Sequence, residues 1–277
     1  MTDLNNRCYI VTGAASGLGR AMTMGLLDAG ACVIAGDLQQ EAFDPIPAST
    51  GKRCRTILLD VRKTEDSERA VACALDAFGR LDGIINNAGI GQERIRADYI
   101  VNPPPFWSVP PALWRQIIEV NTIGPFNLAH AATPVMLRSG HGRIINVTTS
   151  LSTMLARGMA PYGGSKAATE AHTAIMAQDL DGTGITVNAL VPGGPVNTPM
   201  VPAESGFERQ ALLQPEVMLP PLLWLLSPAA DKVTGRRLVA ALWDTSRKAE
   251  EAAALAGAPA GWPIPEHGQA ILPHSFR

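Results

Sequence analysis

Charge is what this sequence has least of. Of its 277 residues only 17% are Asp, Glu, Lys or Arg, against about 25% in an ordinary soluble domain. The 23 basic and 25 acidic residues nearly cancel, leaving a net charge of −2. That balance, with no long basic run, excludes a nucleic-acid binder working by bulk electrostatics. Pairs such as Arg53 with Arg55, or Arg236 with Arg237, read as ordinary surface. Cysteine is scarce too. Cys8, Cys32, Cys54 and Cys73 lie far apart, with no CxxC pair and no His at ligand spacing. They read as reduced core thiols rather than a zinc site or a disulfide framework, and no metal is expected. Long apolar runs are missing as well. The greasiest stretch, Val217 to Leu226, is ten residues interrupted by Pro220 and Pro221, whereas a membrane span needs about 20. Met1 to Arg7 is polar and lacks the basic-then-apolar pattern of a signal peptide. What is abundant is apolar side chain, 46% of the chain, which excludes disorder. The reading is a soluble, cytoplasmic globular protein, and so few charges on so long a chain point to surface buried against another subunit.

Short apolar runs alternate with amphipathic segments. Strands are predicted at Cys8–Val11, Ala31–Ala35, Arg55–Leu59, Leu81–Ile85, Arg143–Val147 and Ile185–Leu190. Helices are predicted at Leu18–Asp28, Ser67–Phe78 and Trp114–His130, with another after Pro161. Such alternation means right-handed βαβ units and a parallel sheet covered on both faces by helices, an α/β fold. Neither linker nor repeat interrupts it up to about Asp244, so the chain reads as one domain. Two features look added to it. Asn102–Pro111 carries five prolines with Phe106 and Trp107, and the tail Thr245–Arg277 extends past the last expected strand.

The first strand runs into Thr12-Gly13-Ala14-Ala15-Ser16-Gly17-Leu18-Gly19, and a helix follows. A strand, a Gly-rich turn and a helix start offer backbone N–H groups and the positive helix end to a pyrophosphate. The spacing is GxxxGxG, with no Lys for a P-loop. Asp37 closes the second strand, 18 residues beyond Gly19. An acidic group there accepts hydrogen bonds from adenosine ribose hydroxyls and repels a 2′-phosphate. Leu38 follows it where an Arg would be needed to hold that phosphate, and Ser16 takes the other position open to a basic residue. All three choices favour NAD over NADP.

Tyr162-Gly163-Gly164-Ser165-Lys166 puts Tyr162 and Lys166 four apart at a helix start, hence on one face. A phenol with a pKa of about 10 is a poor base at neutral pH, and an ammonium alongside, or a cationic nicotinamide, favours its ionised form. Such a pair can take a proton from an alcohol as hydride leaves its carbon, or return one to a ketone.

Thr12–Gly19, Asn86-Asn87-Ala88-Gly89, Tyr162–Lys166 and Pro192-Gly193 stand in an order and spacing that resemble the classical short-chain dehydrogenases/reductases. The resemblance covers roughly residues 5–244. It implies a Rossmann-type doubly wound parallel sheet of about seven strands, a nicotinamide cofactor, and a catalytic set of Asn, Ser, Tyr and Lys. On this chain it implies Tyr162 as general acid/base, with Lys166 binding the nicotinamide ribose and lowering the Tyr pKa. Asn121 matches the Asn that anchors a water in the proton relay. Asn87, Ala88 and Gly89 would line the cofactor cleft, Asp60 and Val61 would touch the adenine, and Pro192, Gly193, Val196 and Thr198 would cover the carboxamide. Gly13, Ser16, Gly17, Leu18 and Gly19 would hold the pyrophosphate, beside Asp37 and Leu38. The family Ser falls on Thr149, 13 residues before Tyr162, with Ser150 in its place if the loop shifts. The family pattern is exceeded by one residue in Pro192–Thr198, and Thr198–Pro215 is short for the substrate lid.

The reading is therefore an NAD-dependent oxidoreductase acting on a secondary alcohol or ketone. The Pro-rich insert and the tail are expected to rebuild the pocket wall for an apolar, cyclic substrate, or else to form an ordinary surface loop. Helices Leu113–His130 and Ala167–Leu180 correspond to segments that pack across subunits in the family, which implies a homo-oligomer, a tetramer or a dimer. Two other classes stay open: a non-catalytic NAD-sensing regulatory protein on the same fold, and an epimerase or dehydratase of the extended short-chain group.

Overall fold

The middle of the sheet is built largely from buried aliphatic side chains, such as Ile10, Val33, Ile34, Ile84, Ile144 and Val187. A strand covered by helices on both faces requires that composition. The structure is a computed structural model that describes residues 3–38 and 48–262. Within it β1 (Cys8–Thr12), β2 (Cys32–Asp37), β3 (Cys54–Leu58), β4 (Gly83–Asn86), β5 (Gly142–Val147), β6 (Ile185–Val191), β7 (Arg236–Val239) and β8 (Gly257–Pro259) form one sheet in the order β3-β2-β1-β4-β5-β6-β7-β8. The first seven run parallel. This is the expected Rossmann-type fold, and the chain reverses its winding direction between β1 and β4, where such sheets open a ligand crevice at the carboxyl ends of their strands.

Helices α1 (Gly17–Asp28), α2 (Thr64–Phe78), α3 (Pro111–Ile118), α4 (Gly124–Ser139), α5 (Leu151–Met154), α6 (Tyr162–Asp179), α7 (Leu219–Leu225) and α8 (Ala249–Ala256) complete the frame. One core layer joins the sheet to α1 and α7 through Met22, Leu26, Leu222 and Leu225. The other joins it to α2 and α4 through Val71, Leu128 and Met136. The greasy run at 217–226 belongs to the first layer, where Leu219 lies so close to Gly25 that a Cβ there would meet it at 2.5 Å.

Three expectations change, and one choice left open by the sequence is narrowed. The predicted helix Trp114–His130 is two helices, α3 and α4, joined by a π-turn over Glu119–Ile123. The tail does not lie past the last strand: its first part forms α8 and then β8, which pairs antiparallel with β7. That makes eight strands rather than seven. Pro263–Arg277 lies outside the described residues. The Pro-rich insert forms a surface turn in which Phe106 and Trp107 meet edge to face at 5.2 Å, both more than 60% exposed. Finally, Arg237 is buried, not surface, because Glu170 of α6 sits beneath it at 3.0 Å.

Candidate active site

Where β1 ends the chain turns sharply through Gly13, whose φ of +64° suits glycine. Gly19, the third residue of α1, has a different reason to be glycine: a Cβ there would lie 2.0 Å from the Gly13 carbonyl oxygen. Its bareness lets the helix sit down on the turn. Ser16 caps α1 without a side-chain hydrogen bond, and no acidic residue occupies the first turn, so the N–H groups there suit an anion. Thr12 ties the turn to the end of β4. Its Oγ1 accepts from the N–H groups of Asn87 and Ala88, both at 3.0 Å, and Asn87 Nδ2 donates back to the Thr12 and Gly13 carbonyls at 2.9 and 3.2 Å.

Further along the crevice, backbone N–H groups hold the Asp37 carboxylate: Ala15 donates at 3.0 Å and Leu38 at 2.7 Å. Asp60 is clasped by Arg62, whose guanidinium reaches it at 2.6 Å. Hydrogen bonds from Arg62 hold the Asp60 carboxyl below its ordinary value.

The other wall is α6, and its face is read off at intervals of about one turn. Tyr162 lies beside Thr149, whose hydroxyl acts to lower the phenol, Lys166 Nζ donates to the Val147 carbonyl at 2.9 Å, and Glu170 Oε2 accepts from Thr148 Oγ1 at 2.7 Å. Thr173 Oγ1 accepts from Asn146 Nδ2 at 2.9 Å. The helix is thus stitched to the carboxyl end of β5 residue by residue. Glu170 also receives Arg237 Nε at 3.0 Å and the Gly261 N–H at 3.3 Å, while Arg237 donates to the Thr149 carbonyl at 3.0 Å. Thr149 is therefore held from both sides.

Ser150 does something else. Its Oγ accepts the Thr153 N–H at 3.1 Å and caps α5. Of the two hydroxyls left open by the sequence, the one against the Tyr162 phenol is that of Thr149.

Asn121 occupies the π-turn, and the cause of that turn is two residues past Ile123. Pro125 has no N–H to offer the Asn121 carbonyl, so the regular ladder breaks and Thr169 Oγ1 fills the gap at 2.7 Å. The fully buried Asn121 side chain then donates to the Ile90 carbonyl at 2.8 Å and to Ser165 Oγ at 3.0 Å, and accepts from the Ile90 N–H at 3.0 Å. It locks the loop after β4 to α6.

These pieces enclose one cavity of about 740 Å³. Every residue singled out from the motifs lines it except Gly19 and Asn121, which stand behind the wall. Thus Ser16, Gly17 and Leu18 share a cavity with Val61, Ala88 and Gly89, and with Pro192, Gly193, Val196 and Thr198 across it. A Cβ at Gly89 would come within 3.4 Å of Lys166 Nζ, so this glycine keeps the ammonium open to the space. The residues present fit a dinucleotide: an anion-ready helix start at one end, a fixed carboxylate for the ribose beside it, and a Tyr–Lys pair at the other.

Burial pushes the Tyr162 phenol up, with the negative charge of Glu93 adding and the Thr149 hydrogen bond opposing. Lys166 was expected to favour the phenolate, yet Thr149 is the group that does so here. Burial lowers Lys166 itself to about 8, and its ammonium is turned to the Val147 carbonyl.

The insert lines none of this cavity. Its far wall is instead built by Pro199, Met200, Val201 and Phe207, with Ile100 and Met159. Sequence reasoning passed over Thr12, Ser165, Glu170 and Glu93. Thr12 could have been found as the last strand residue before the turn, and Glu170 as the next turn of the Tyr162–Lys166 face. Ser165 lies inside a motif already quoted, and Glu93 carries no sequence signal.

Comparison with known proteins agrees with this architecture. The family model described as short chain dehydrogenase matches residues 7–208. The chain is 33% identical over 255 residues to a 2,5-dichloro-2,5-cyclohexadiene-1,4-diol dehydrogenase of Sphingobium indicum, covering 87% of this chain and 97% of that protein. Among solved structures it resembles a 3-ketoacyl-(acyl-carrier-protein) reductase from Brucella melitensis complexed with NADH, with a TM-score of 0.73, 26% identity, and 84% and 95% of the two chains covered. It also resembles a protein of Beutenbergia cavernae solved with NADP at low occupancy, with a TM-score of 0.74, 33% identity, and 86% and 96% covered. By its sheet, its crevice and its motifs, the chain belongs to the short-chain dehydrogenases, an oxidoreductase family that binds a nicotinamide cofactor.

Proposed function

We propose that this protein is an NAD(H)-dependent alcohol dehydrogenase or ketoreductase acting on a secondary alcohol or ketone of apolar, cyclic shape. The observation that carries this reading is the Tyr162 phenol with the Thr149 hydroxyl against it and Lys166 one turn away, at the end of the cavity opposite the Gly-rich turn. When bound, the nicotinamide supplies or accepts the hydride at the substrate carbon. Tyr162 takes the hydroxyl proton as the alcohol becomes a carbonyl, and returns it in the reverse direction. Thr149 holds the substrate oxygen and the phenol in line, its hydroxyl able to donate and accept at once. Lys166 presents a positive charge beside them past Gly89, and Asn121 fixes the loop that keeps it there.

NAD over NADP is supported by the Asp37 carboxylate, which backbone N–H groups aim at the ribose position, and by Leu38 beside it. The apolar lid Pro199–Val201 with Phe207 supports a hydrophobic substrate, and the name of the Sphingobium relative supports a cyclic one. A cytoplasmic homo-oligomer goes with this reading. It is supported by Phe126 on α4 and Ile175 on α6, each about half exposed.

The test is to incubate the protein with NAD⁺ and a panel of secondary alcohols while following NADH absorbance. Turnover is expected with NAD⁺, at least tenfold slower with NADP⁺. Tyr162→Phe should lower kcat by about 10³-fold while the NAD⁺ Kd moves by less than twofold. Retained turnover in that variant would sink the acid/base role, and tight NAD⁺ binding without turnover on any alcohol would favour a regulatory protein.

A further inference from the structure

The substrate end of the cavity is not wholly apolar. Glu93, on the loop after β4, lines it beside Tyr99 and Gln92. Its Oε1 accepts the Gly91 N–H at 3.0 Å, but its Oε2 is buried and has no partner among the described residues, and the same holds for Oε1 of Gln92. Buried polar atoms are almost always paired, and an unpaired carboxylate oxygen is among the costliest exceptions. Two adjacent cavity-lining residues thus carry buried acceptor oxygens that want donors.

Their place matters. The point where a Gly91 Cβ would stand is 2.7 Å from Glu93 Oε2 and 3.4 Å from the Tyr162 ring. The carboxylate and the phenol ring therefore flank the same residue, and the lack of a side chain at Gly91 is what lets Glu93 Oε2 stand there. The electrostatics agree, since Glu93 lies close enough for its charge to raise both Tyr162 and Tyr99.

We propose that Glu93 is a specificity-determining residue: its carboxylate accepts a hydrogen bond from a second hydroxyl of the substrate while Tyr162 acts on the first. The protein then prefers diols and polyols to the matching mono-alcohols. This rests on the alcohol–ketone reading above. A mono-alcohol would leave the acceptor unpaired, whereas a second hydroxyl on the substrate supplies the donor. A site built to hydrogen-bond a substrate hydroxyl rejects the analogue that lacks it far more strongly than an apolar pocket rejects an extra one.

The experiment pairs kinetics with binding. With NAD⁺, kcat/KM is measured for cyclohexanol and for the 1,2- and 1,4-cyclohexanediols on wild type, Glu93→Gln and Glu93→Leu. At least one diol should exceed cyclohexanol by tenfold or more in wild type. That ratio should fall about tenfold or more in Glu93→Leu, with Glu93→Gln between. In parallel, the Kd of the same diols for Tyr162→Phe with NADH is measured by calorimetry, with and without Glu93→Leu, and the Leu change should weaken binding tenfold. A wild type with no diol preference, or a ratio indifferent to Glu93, overturns the inference while leaving the alcohol–ketone reading standing. No turnover of any alcohol, with diol binding that still depends on Glu93, overturns the reaction and keeps the anchor. No turnover and no Glu93-dependent binding overturns both.

Discussion

Thr149 and Ser150 differ by one position and one methyl group, and the backbone decides between them. Thr149 has its carbonyl pinned by Arg237 and its hydroxyl on the Tyr162 phenol, while Ser150 spends its hydroxyl on the start of α5. Replacing Thr149 with Val keeps the shape and removes the donor, so kcat should drop about 10²-fold, in the range seen when a group aiding proton transfer is lost. Thr149→Ser should recover most of that loss. Ser150→Ala should instead lower stability by about 1 kcal/mol, the usual worth of a helix cap, and reduce kcat far less than Thr149→Val does. Steady-state kinetics together with thermal unfolding of the three variants separate these outcomes. Equal kinetic losses at both positions would mean that the hydroxyls share the role.

At the scale of elements, α6 is the organising helix. Its four-residue rhythm delivers Tyr162 to the cavity, Lys166 to the carbonyl of Val147, and Glu170 to a buried pair with Arg237 that braces the strand end carrying Thr149. Removing one partner of a buried pair leaves the other charge uncompensated, so Arg237→Met should destabilise the fold by about 3 kcal/mol. Because Arg237 also holds the Thr149 carbonyl, kcat should fall more than KM rises. Denaturant unfolding and kinetics on the same preparation check both. A stability loss with kcat intact would make the pair a core brace only.

This network also marks where the sequence stops being legible. Six of the strands, α1 and the turn were readable because a doubly covered parallel strand favours a short apolar run and a phosphate turn must be bare of Cβ atoms, whereas β7, with Arg236 and Arg237, was not. Tyr162 and Lys166 were readable from their four-residue spacing at a helix start after Pro161, together with the resemblance of the surrounding motifs. The π-turn was not, since Asn121 sits in a helical pattern and only the effect of Pro125 on a carbonyl four residues back breaks it. Arg237 looked like surface because its burial depends on a glutamate 67 residues away in sequence. The strand β8, Gly-Ala-Pro, has no apolar alternation to betray it. Glu93 is one acidic residue in a loop, and its orphaned oxygen exists only once Tyr162 is packed beside it.

For the molecule as a whole, the end of the sheet opposite the cavity is held by charge. Asp82 is buried and takes hydrogen bonds from Arg80 at 2.7 Å, Arg7 at 2.8 Å and the Cys8 N–H at 2.8 Å, joining the start of β1 to the start of β4. Burial alone would raise its carboxyl, but these donors win and hold it below its ordinary 3.8. A folded-state value below the unfolded one means that the native chain binds fewer protons. The contribution is therefore complete above about pH 4 to 5, where the carboxylate is charged in both states, and fades as the pH drops through 3.8 toward the folded value. Asp82→Asn should lose about 2 kcal/mol at neutral pH, a typical worth for hydrogen bonds to a charged group, and the gap to wild type should narrow at pH 3. Denaturant midpoints at pH 7, 5 and 3 test this. A gap independent of pH would place the loss in packing rather than charge.

The backward-running β8 has a consequence of another kind. A parallel sheet that ended at β7 would leave a row of open backbone groups along its margin, ready to accept a strand from a neighbouring chain. Three residues from the tail cover Arg236, Arg237 and Leu238 instead, and the last of them is Pro259, opposite Arg236, which has no N–H to pass the ladder on. A strand from a neighbouring chain would therefore meet a three-residue edge that lacks one donor, the kind of short, proline-bearing margin that resists further pairing. The short tail strand acts as a hem on the fabric.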